Sequence, residues 1–409
     1  MNACHPQEYT IPGFASRHAE PTTQRQPTPL RLAPVGDKTV ELDFDGGHLS
    51  SDAGLVLLKD IDEQLGLTRA LAAALADARD ARRIRFTPDD LLKQRIFQIA
   101  AGYEDAHDAH TLRPDPLFKL LLDRLPETGC PLASQPTISR FENRVSRTEL
   151  YRMALVLMDQ FIASYDSPPE VIVLDVDDTE DRAHGAQEHI RYDGYYGGYC
   201  FLPCHLYEGL SGRLITTILK AKRFSGAQML AVLKRVVKRL RHAWPDTQVI
   251  LRGDSHFAYP EVMAWLEAQP HLSYVIGLTS NAVLQQLAQE VVEQAKRAYA
   301  CWERKATRFH STRYQAGTWS RSRRVVIKVE VSAQGVNTRF VVTDMEQART
   351  QVLYRHIYCA RGQMANEIKD HKLYLKSDRT SCHRFEAHQM RLFLHSAAYM
   401  LLDTLRREV

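Results

Sequence analysis

The sequence has little of what marks an extracellular or membrane protein. It has no uninterrupted apolar run of the roughly 18 to 20 residues that a membrane-spanning helix needs. The N-terminus lacks the basic segment and apolar core of a secretory signal. The seven cysteines are an odd number, scattered from Cys4 to Cys382, and give no disulfide framework. We therefore expect free thiols, no membrane partner and a cytoplasmic location.

An excess of one charge is also nearly absent. The 53 basic and 49 acidic residues leave a net charge of +4, which is too small to indicate a polyanionic partner by itself. Hydrophobic residues make up 44% and charged residues 25%, which excludes a mostly disordered, collagenous or coiled-coil chain. The 409 residues are enough for two or three domains, or for one catalytic core that carries insertions.

Basic residues are nevertheless concentrated in two segments. Residues 220–241 hold eight basic residues and no acidic one, and residues 301–330 hold eight against two acidic ones. One such cluster is typical of a solvated surface, whereas two in one chain favour a nucleic-acid partner. The first cluster contains the candidate DNA contacts Lys222 and Arg223.

The N-terminal part predicts a tail and then helices. Residues 1–36 contain six prolines and no apolar period, which predicts a mobile tail. Residues 37–167 predict a mostly helical region, and the family resemblance described below implies that this region binds DNA and dimerises. Within it, residues 134–144 resemble the start of a helix-turn-helix recognition helix, in which Arg140 could contact DNA. A capped structural helix with two core positions explains the same residues, and both interpretations stay open.

From residue 168 the pattern changes to alternating strands and helices. Predicted strands cover 171–177, 199–207, 213–219, 248–254 and 272–277, and predicted helices cover 226–243 and 259–268. The order of three strands, helix, strand, helix, strand predicts an α/β fold with a ribonuclease H-like core, of which residues 168–284 form the first part.

The C-terminal third predicts an interruption of that core. A helix at about 285–300 is followed by basic strands at 324–331 and 338–343, so residues 285–345 predict a β-rich insertion. Residues 346–409 predict the second part of the core, with helices over about 354–372 and 385–406.

Aspartates follow two of the predicted buried strands. Asp175 and Asp177 occupy positions i and i+2 of one strand and share a face of the sheet, and Asp254 ends another strand. Clustered carboxylates are costly unless a cation is bound, and their hard oxygens select Mg²⁺ or Mn²⁺. One such aspartate alone is explained by capping of the next turn, but two strands that end this way favour a metal site.

These residues resemble the DDE transposases of insertion sequences. Asp177-Asp178-Thr179 is similar to their first aspartate motif, and Arg252-Gly-Asp254 is similar to the second. Tyr358-x2-Arg361-x3-Ala365-x6-Lys372 matches the Tyr-Arg-Glu-Lys signature of the IS-four-like group at three of four positions. Four further motifs resemble insertion-sequence family 1380: Leu174-Asp-Val-Asp-Asp-Thr179, His184-Gly-Ala-Gln187, Asp108-x3-Leu112-Arg-Pro-Asp-Pro116 and Arg361-Gly-Gln-Met. The resemblance covers about residues 40 to 406.

The sequence departs from the family pattern at Ala365, where the third carboxylate, a glutamate, is expected. On a regular α-helix, Tyr358, Arg361, Ala365 and Lys372 form one stripe, and Glu367 lies on the opposite face. Glu367 is therefore a poor substitute, and the chain as written is expected to be catalytically inactive. Either an alanine was deliberately introduced to trap a DNA complex, or the chain is a naturally inactive copy.

The resemblance implies two Mg²⁺ (or Mn²⁺) ions, held by two aspartates and the residue at position 365. It assigns Asp177 and Asp254 as metal ligands and Asp175 as a helper or fallback ligand. It also implies that Arg361 and Lys372 hold phosphates beside the cleaved bond. Tyr358 would orient the same DNA backbone.

The predicted insertion resembles a β-rich segment that handles the transposon end. Trp319, beside Arg321, Arg323 and Arg324, is a candidate stacking surface for an unpaired base, and Trp302 is a second candidate. A tryptophan in such a segment can equally be a core residue. Spacings such as Cys200-x3-Cys204-His205 and His107-x2-His110 do not favour zinc, because neither has the paired arrangement of a structural site.

The resemblance implies a cut-and-paste transposase that acts on double-stranded DNA, namely the terminal inverted repeats of its element and a target. It implies a homodimer that joins both ends in a synaptic complex, located with the nucleoid of a prokaryote. A metal-dependent nuclease without strand transfer uses the same fold and ions, and a DNA-binding relic without catalysis is the third possibility.

Overall fold

The protein was analysed as a computed structural model, which describes residues 30–35, 38–42 and 50–408. Its chain divides into two compact units, Met1–Leu49 and Ser50–Val409. In the first unit, strand β1 (Leu30–Val35) pairs antiparallel with β2 (Lys38–Leu42). The tail prediction was thus wrong for residues 30–35, which form a strand paired with β2 on both sides of an irregularity between Leu32 and Val35. Residues 1–29 of that tail lie outside the described residues.

The second unit is a mixed α/β fold. Its helices are α1 (Leu55–Leu65), α2 (Leu67–Ala73), α3 (Pro88–Ala100), α4 (Asp108–Leu112), α5 (Pro116–Leu121), α6 (Gln135–Asn143), α7 (Arg147–Ala163), α8 (Gly226–Ala243), α9 (Pro260–Glu267), α10 (Ala282–Trp302), α11 (Thr350–Val352), α12 (Met364–Leu373) and α13 (Phe385–Glu408). Its strands are β3 (Val171–Asp178), β4 (Asp181–Arg182), β5 (Arg191–Asp193), β6 (Gly198–Phe201), β7 (Cys204–Glu208), β8 (Leu214–Ile218), β9 (Gln248–Gly253), β10 (Leu272–Leu278), β11 (Ala306–Tyr314), β12 (Arg323–Ser332) and β13 (Gly335–Thr343).

One large mixed sheet organises this unit. Its eight strands lie in the order β11-β12-β13-β10-β9-β3-β7-β8. The three central strands β3, β9 and β10 are parallel, and the strands on both sides pair antiparallel. Strands β4, β6 and β5 form a separate three-stranded sheet. The α/β class predicted from the sequence is confirmed.

Alternation along β3 assigns its two faces. Ile172, Leu174 and Val176 belong to the core on one side, beneath α8, α9 and α10. Val173 points to the other side, into a smaller core that includes residues 353 and 354. Because side chains alternate along a strand, Asp175 and Asp177 share the face of Val173. Both aspartates therefore lie on the side of the sheet that the segment after β13 covers.

The N-terminal helices share their core with the C-terminal helix. Side chains from α1 to α7 and from α12 and α13 form one hydrophobic cluster, which also includes Tyr207 and Leu214 of the sheet. A buried charge cluster joins the same helices, because Glu142 of α6 pairs with Arg95 of α3 at 2.9 Å and with Arg391 of α13 at 2.8 Å. Helix α13 thereby connects the helical region to the sheet.

The segment predicted as a β-rich insertion contains β11, β12 and β13 and extends the central sheet, since β13 pairs antiparallel with β10 from Leu278↔Phe340 to Val275↔Thr343. One strand prediction was wrong in detail. The single strand predicted over 199–207 is two strands in different sheets. They are separated at Pro203, which has no N–H for a strand ladder.

In the part of the chain that the structure describes, no helix is long and apolar enough to span a bilayer.

Candidate active site

Asp177 and Asp254 lie next to each other at the ends of neighbouring parallel strands. The register of β3 with β9 pairs Asp175 with Arg252 and Val176 with Gly253, so the next residues in each strand direction are Asp177 and Asp254. Both side chains are about one quarter exposed. The carboxyl ends of parallel strands share one sheet edge, and this edge therefore presents two accessible carboxylates together.

Asp177 is held by two hydrogen bonds. Its Oδ1 accepts from the Asp178 backbone N–H at 3.0 Å, and its Oδ2 accepts from Arg361 Nη1 at 2.9 Å. Burial raises the pKa of the Asp177 carboxyl above its ordinary value, the Arg361 charge opposes this shift, and the Asp254 charge adds to it. The two carboxylates thus repel each other, which is the electrostatic condition that a cation relieves.

Asp254 ends β9 and caps the short 3₁₀ turn Ser255–Phe257. Its Oδ1 accepts from the His256 backbone N–H at 2.9 Å, and its Oδ2 lies 3.2 Å from His256 Nδ1. The capping role expected for a strand-terminal aspartate is therefore present, together with the position beside Asp177.

Asp175 has a different environment from Asp177. It is buried, and its two oxygens accept from Arg252 Nε and Nη2, each at 2.5 Å. Arg252 also donates through Nη1 to the Ile357 carbonyl at 2.6 Å. The fallback role of Asp175 as a metal ligand was wrong, because both of its oxygens are committed to this ion pair. Arg252 of the second aspartate motif was the sequence feature that could have indicated this ion pair, but it was used only to recognise the motif.

Asp178 forms a second ion pair that the sequence analysis missed. Its Oδ1 accepts from Lys220 Nζ at 2.5 Å, and Lys220 is buried against the Phe224 ring at 4.4 Å. Lys220 was counted in the basic cluster, but it is a structural residue. The pKa of the Asp178 carboxyl is raised by burial, and Lys220 opposes the shift.

The segment that follows β13 passes these carboxylates as a mixed helix. After α11, residues Leu353–Tyr358 form a π-helical turn, Cys359–Gln363 form a 3₁₀ turn, and α12 follows. The single regular helix predicted for 354–372 was wrong. The Ile357 carbonyl accepts from Arg252, which is consistent with the change in helical pitch there.

The mixed helix brings its three polar signature residues to the carboxylate edge. Arg361 contacts Asp177, and Lys372 Nζ donates to the Glu180 carbonyl at 2.7 Å, just after β3. The Tyr358 hydroxyl lies against Gly277 of β10, where an added Cβ would be 2.6 Å from its oxygen. Burial raises the pKa of Tyr358, Arg361 opposes the shift, and Asp254 adds to it.

Ala365 is exposed and lies in the chain between Arg361 and Lys372. Glu367 points elsewhere, because its Oε2 accepts from the Tyr399 hydroxyl of α13 at 2.8 Å. This contact is consistent with the expectation that Glu367 is a poor substitute for the missing glutamate. Among the described residues, no group of three or more histidine, cysteine, aspartate or glutamate side chains is arranged to hold a metal ion.

The residues around Trp319 are packed inside the protein. Trp319 is 6% exposed and lies in the core beneath the sheet. Arg323 is buried in an ion pair with Glu267, and Arg324 donates to the Met345 and Glu346 carbonyls. The prediction that these three side chains contact DNA was wrong, because Trp319 is buried in the core and both arginines bind other residues of the protein.

The remaining predicted contacts lie on the surface. Arg321 is exposed but also pairs with Glu267, at 2.7 Å. Trp302, the second stacking candidate, is 71% exposed at the end of α10. Arg140 is exposed on α6, while Lys222 is exposed and Arg223 half-buried after β8.

The comparison with protein-family models identifies the class of this domain. The family model described as transposase DDE domain, group 1, matches residues 32–409. The chain therefore belongs to this transposase family.

The comparisons with solved structures and with curated proteins do not identify a family. One solved structure that matches this chain is the piggyBac transposase synaptic complex with hairpin DNA, at 13% identity and a TM-score of 0.43. That alignment covers 90% of this chain and 77% of the other. No curated protein matches the chain.

Proposed function

We propose that this chain is the DNA transposase of an insertion sequence of the IS-four-like group and family 1380. It would bind the terminal inverted repeats of its element as a homodimer, and cleave and join DNA. The observation that carries the proposal is the side-by-side position of Asp177 and Asp254 at the ends of β3 and β9, with Arg361 and Lys372 beside them. The order β8-β7-β3-β9-β10 supports a ribonuclease H-like core.

The donor set fits two divalent ions in part. Asp177 and Asp254 supply hard carboxylate oxygens on one edge, and a glutamate at position 365 would complete the set. Two bound Mg²⁺ ions would activate the attacking oxygen and stabilise the leaving oxygen of a phosphodiester. Arg361 would release Asp177 Oδ2 for this purpose and turn its guanidinium to a DNA phosphate.

The other residues position the strand. Lys372 would contact the phosphate on the side of Thr179 and Glu180, where its ammonium lies. Tyr358 would orient the same backbone from its place against Gly277. The buried pair of Asp175 and Arg252 keeps β3 and β9 in register, and so fixes the spacing of the two accessible carboxylates.

The test is to restore the missing carboxylate. We would make Ala365→Glu and incubate it with Mg²⁺ and duplex DNA that carries the element's own ends, measuring binding and strand breakage separately. We expect both proteins to bind, and only Ala365→Glu to cleave and to join a 3′-hydroxyl end to target DNA. The matched control is Asn366→Glu, which adds the same carboxylate to the next, also exposed, position of α12.

Each other outcome selects another function. Cleavage without joining indicates a nuclease, and binding without cleavage by Ala365→Glu indicates a DNA-binding relic. Cleavage by Asn366→Glu as well would remove the assignment of position 365. A glutamate codon at position 365 in the source gene would identify Ala365 as introduced, and an alanine codon would identify a natural copy.

A further inference from the structure

Exposed tyrosines are concentrated on one hairpin of the small sheet. We call residues 191–201, which contain strands β5 and β6, the tyrosine hairpin. Its Tyr192, Tyr195 and Tyr199 are 62%, 79% and 62% exposed. Aromatic rings are mostly buried in proteins, and several exposed ones together mark a binding surface.

Hydrogen bonds fix the backbone of the turn in the tyrosine hairpin. Asp193 Oδ1 accepts from the backbone N–H groups of Tyr195 and Tyr196 at 2.9 and 3.3 Å, and the Gly197 N–H donates to the Asp193 carbonyl at 2.9 Å. Gly197 has a φ of 66°, which a glycine adopts without strain. The backbone that carries the rings is therefore fixed before binding, and less conformational entropy is lost than in a loop without these bonds.

The tyrosine pairs leave ring faces open. Tyr192 and Tyr199 are directly opposite each other in the register of β5 and β6. Their ring centroids are 5.6 Å apart at an interplanar angle of 77°, an edge-to-face contact. Tyr195 and Tyr196 make a similar contact at 4.9 Å and 87°. An edge-to-face pair uses the edge of one ring and keeps other faces available for a flat partner.

The tyrosine hairpin is attached directly to the catalytic strand. Strand β4, which pairs with β6, begins three residues after Asp178. Asp181 of β4 is buried and pairs with His388 of α13 at 2.7 Å, and the Ala183 N–H donates to the Tyr199 carbonyl. The hairpin is therefore held at the end of β3 that carries Asp177.

Charged side chains of both signs surround the tyrosine hairpin. Burial raises the pKa of Tyr196 to about 12, and the carboxylates of Glu180, Asp177 and Asp178 add to the shift. Exposed Arg191 precedes Tyr192 on β5, and exposed Arg182 of β4 pairs with Glu180 at 3.0 Å. Cations interleaved with exposed aromatic rings are typical of surfaces that bind single-stranded nucleic acid.

We propose that the tyrosine hairpin stacks against unpaired bases of the DNA strand held at Asp177 and Asp254. This inference rests on the proposed transposase function. Bases inside a duplex are already stacked on each other, so open tyrosine faces gain a partner only where the strands are separated. Stacking is tolerant of sequence, and the surface would therefore hold the strand beside the cleavage point without reading its bases.

The test measures the binding of two double variants and of the unaltered protein to two DNA probes. Fluorescence anisotropy without divalent ions would measure Kd for a duplex of the element's end, fully paired or extended by an unpaired tail of about six nucleotides, within the site sizes known for single-strand binders. Tyr192→Leu with Tyr199→Leu removes the rings and keeps apolar bulk. We expect Kd to rise about tenfold or more for the tailed DNA and to stay unchanged for the paired DNA. Tyr192→Phe with Tyr199→Phe keeps the rings and should behave as the unaltered protein.

The outcomes separate this inference from the proposed function. Equal Kd values for the leucine variant and the unaltered protein on tailed DNA would overturn the stacking role while the function stands. Loss of a dimer by light scattering, with unchanged DNA binding, would show instead that the surface joins two copies of the chain. If the unaltered protein binds neither probe, the proposed function fails, and the stacking role fails with it.

Discussion

Asp175 and Asp177 are two residues apart on one face of β3, yet only one of them is accessible. Arg252 holds both oxygens of Asp175 in a buried pair, whereas Asp177 is about one quarter exposed. Strand periodicity predicted the shared face, and the end of a second buried strand predicted Asp254 beside it. Only the family resemblance ranked Asp177 above Asp175. Periodicity could not, because their accessibility depends on where Arg252 points across the β3–β9 pair.

Asp175→Asn should destabilise the protein by about 3 to 5 kcal/mol, because it leaves the buried Arg252 without a counter-charge. Urea unfolding measures the change in the free energy of unfolding. Asp177→Asn is the matched control at the same face, and it should cost about 1 kcal/mol or less, since burial already raises the pKa of that carboxyl. Similar losses in both variants would contradict the structural role of the Asp175–Arg252 pair.

Gly277→Ala should displace Tyr358. The new Cβ would lie 2.6 Å from the Tyr358 hydroxyl and 3.0 Å from the Ser255 backbone nitrogen. In the Ala365→Glu protein, we expect the cleavage rate to fall about tenfold or more with DNA affinity largely retained, because the mixed helix shifts relative to the carboxylates. Gly362→Ala is the control, since its Cβ meets nothing within 4 Å. Adding Tyr358→Phe to Gly277→Ala removes the closest clash and should recover part of the lost thermal stability.

Pairing between elements explains where sequence interpretation of the fold stopped. The strands at 324–331 and 338–343 were predicted from their β-branched residues, but their membership of the central sheet was not. That membership depends on β13 meeting β10, a contact between segments more than 60 residues apart in the chain. The periodicity of the sequence also could not predict the mixed helix, because its π turn coincides with a hydrogen bond that Arg252 of β9 donates.

Asp344, just after β13, should make stability depend on pH. Its Oδ1 accepts from the Tyr274 backbone N–H at 3.0 Å, and burial raises its pKa to about 6. The folded state therefore binds a proton that the unfolded state has lost, and stability from this group falls as the pH rises from about 4 to about 6. Asp344→Asn should remove this loss of stability. The free energy of unfolding of the variant, relative to that of the unaltered protein, should therefore increase by roughly 1 to 3 kcal/mol between pH 4 and pH 7. Urea unfolding at both pH values measures the gain, and a constant difference would contradict the assignment.

At the scale of the whole molecule, the charge cluster of Arg95, Glu142 and Arg391 joins three helices across the shared core. Burial alone would raise the pKa of Glu142, but the charges of Arg391 and Arg95 lower it below its ordinary value. The sequence predicted each helix separately. It could not predict that α13 completes the core of helices that begin more than 200 residues earlier. Helical periodicity predicts an apolar face, but it does not indicate which other helix that face packs against.

Glu142→Gln should cost about 3 to 5 kcal/mol, because two buried guanidinium groups would lose their shared carboxylate. Thermal and urea unfolding measure the loss. Glu386→Gln is the control between the same parts of the chain, since Glu386 pairs with the exposed Arg147 and should contribute about 1 kcal/mol or less. An unfolding curve in which the helical region melts apart from the rest would also identify this cluster as the connection.

Helix α13 also sets the order of events during synthesis. Helices α1 to α7 leave the ribosome long before Phe385 is made, and until then the apolar side chains that α13 later covers stay in contact with water. Contacts this distant in the chain form slowly, and exposed apolar surface of this kind is what chaperones recognise. The newly made chain therefore completes its helical layer only after α13 has been made.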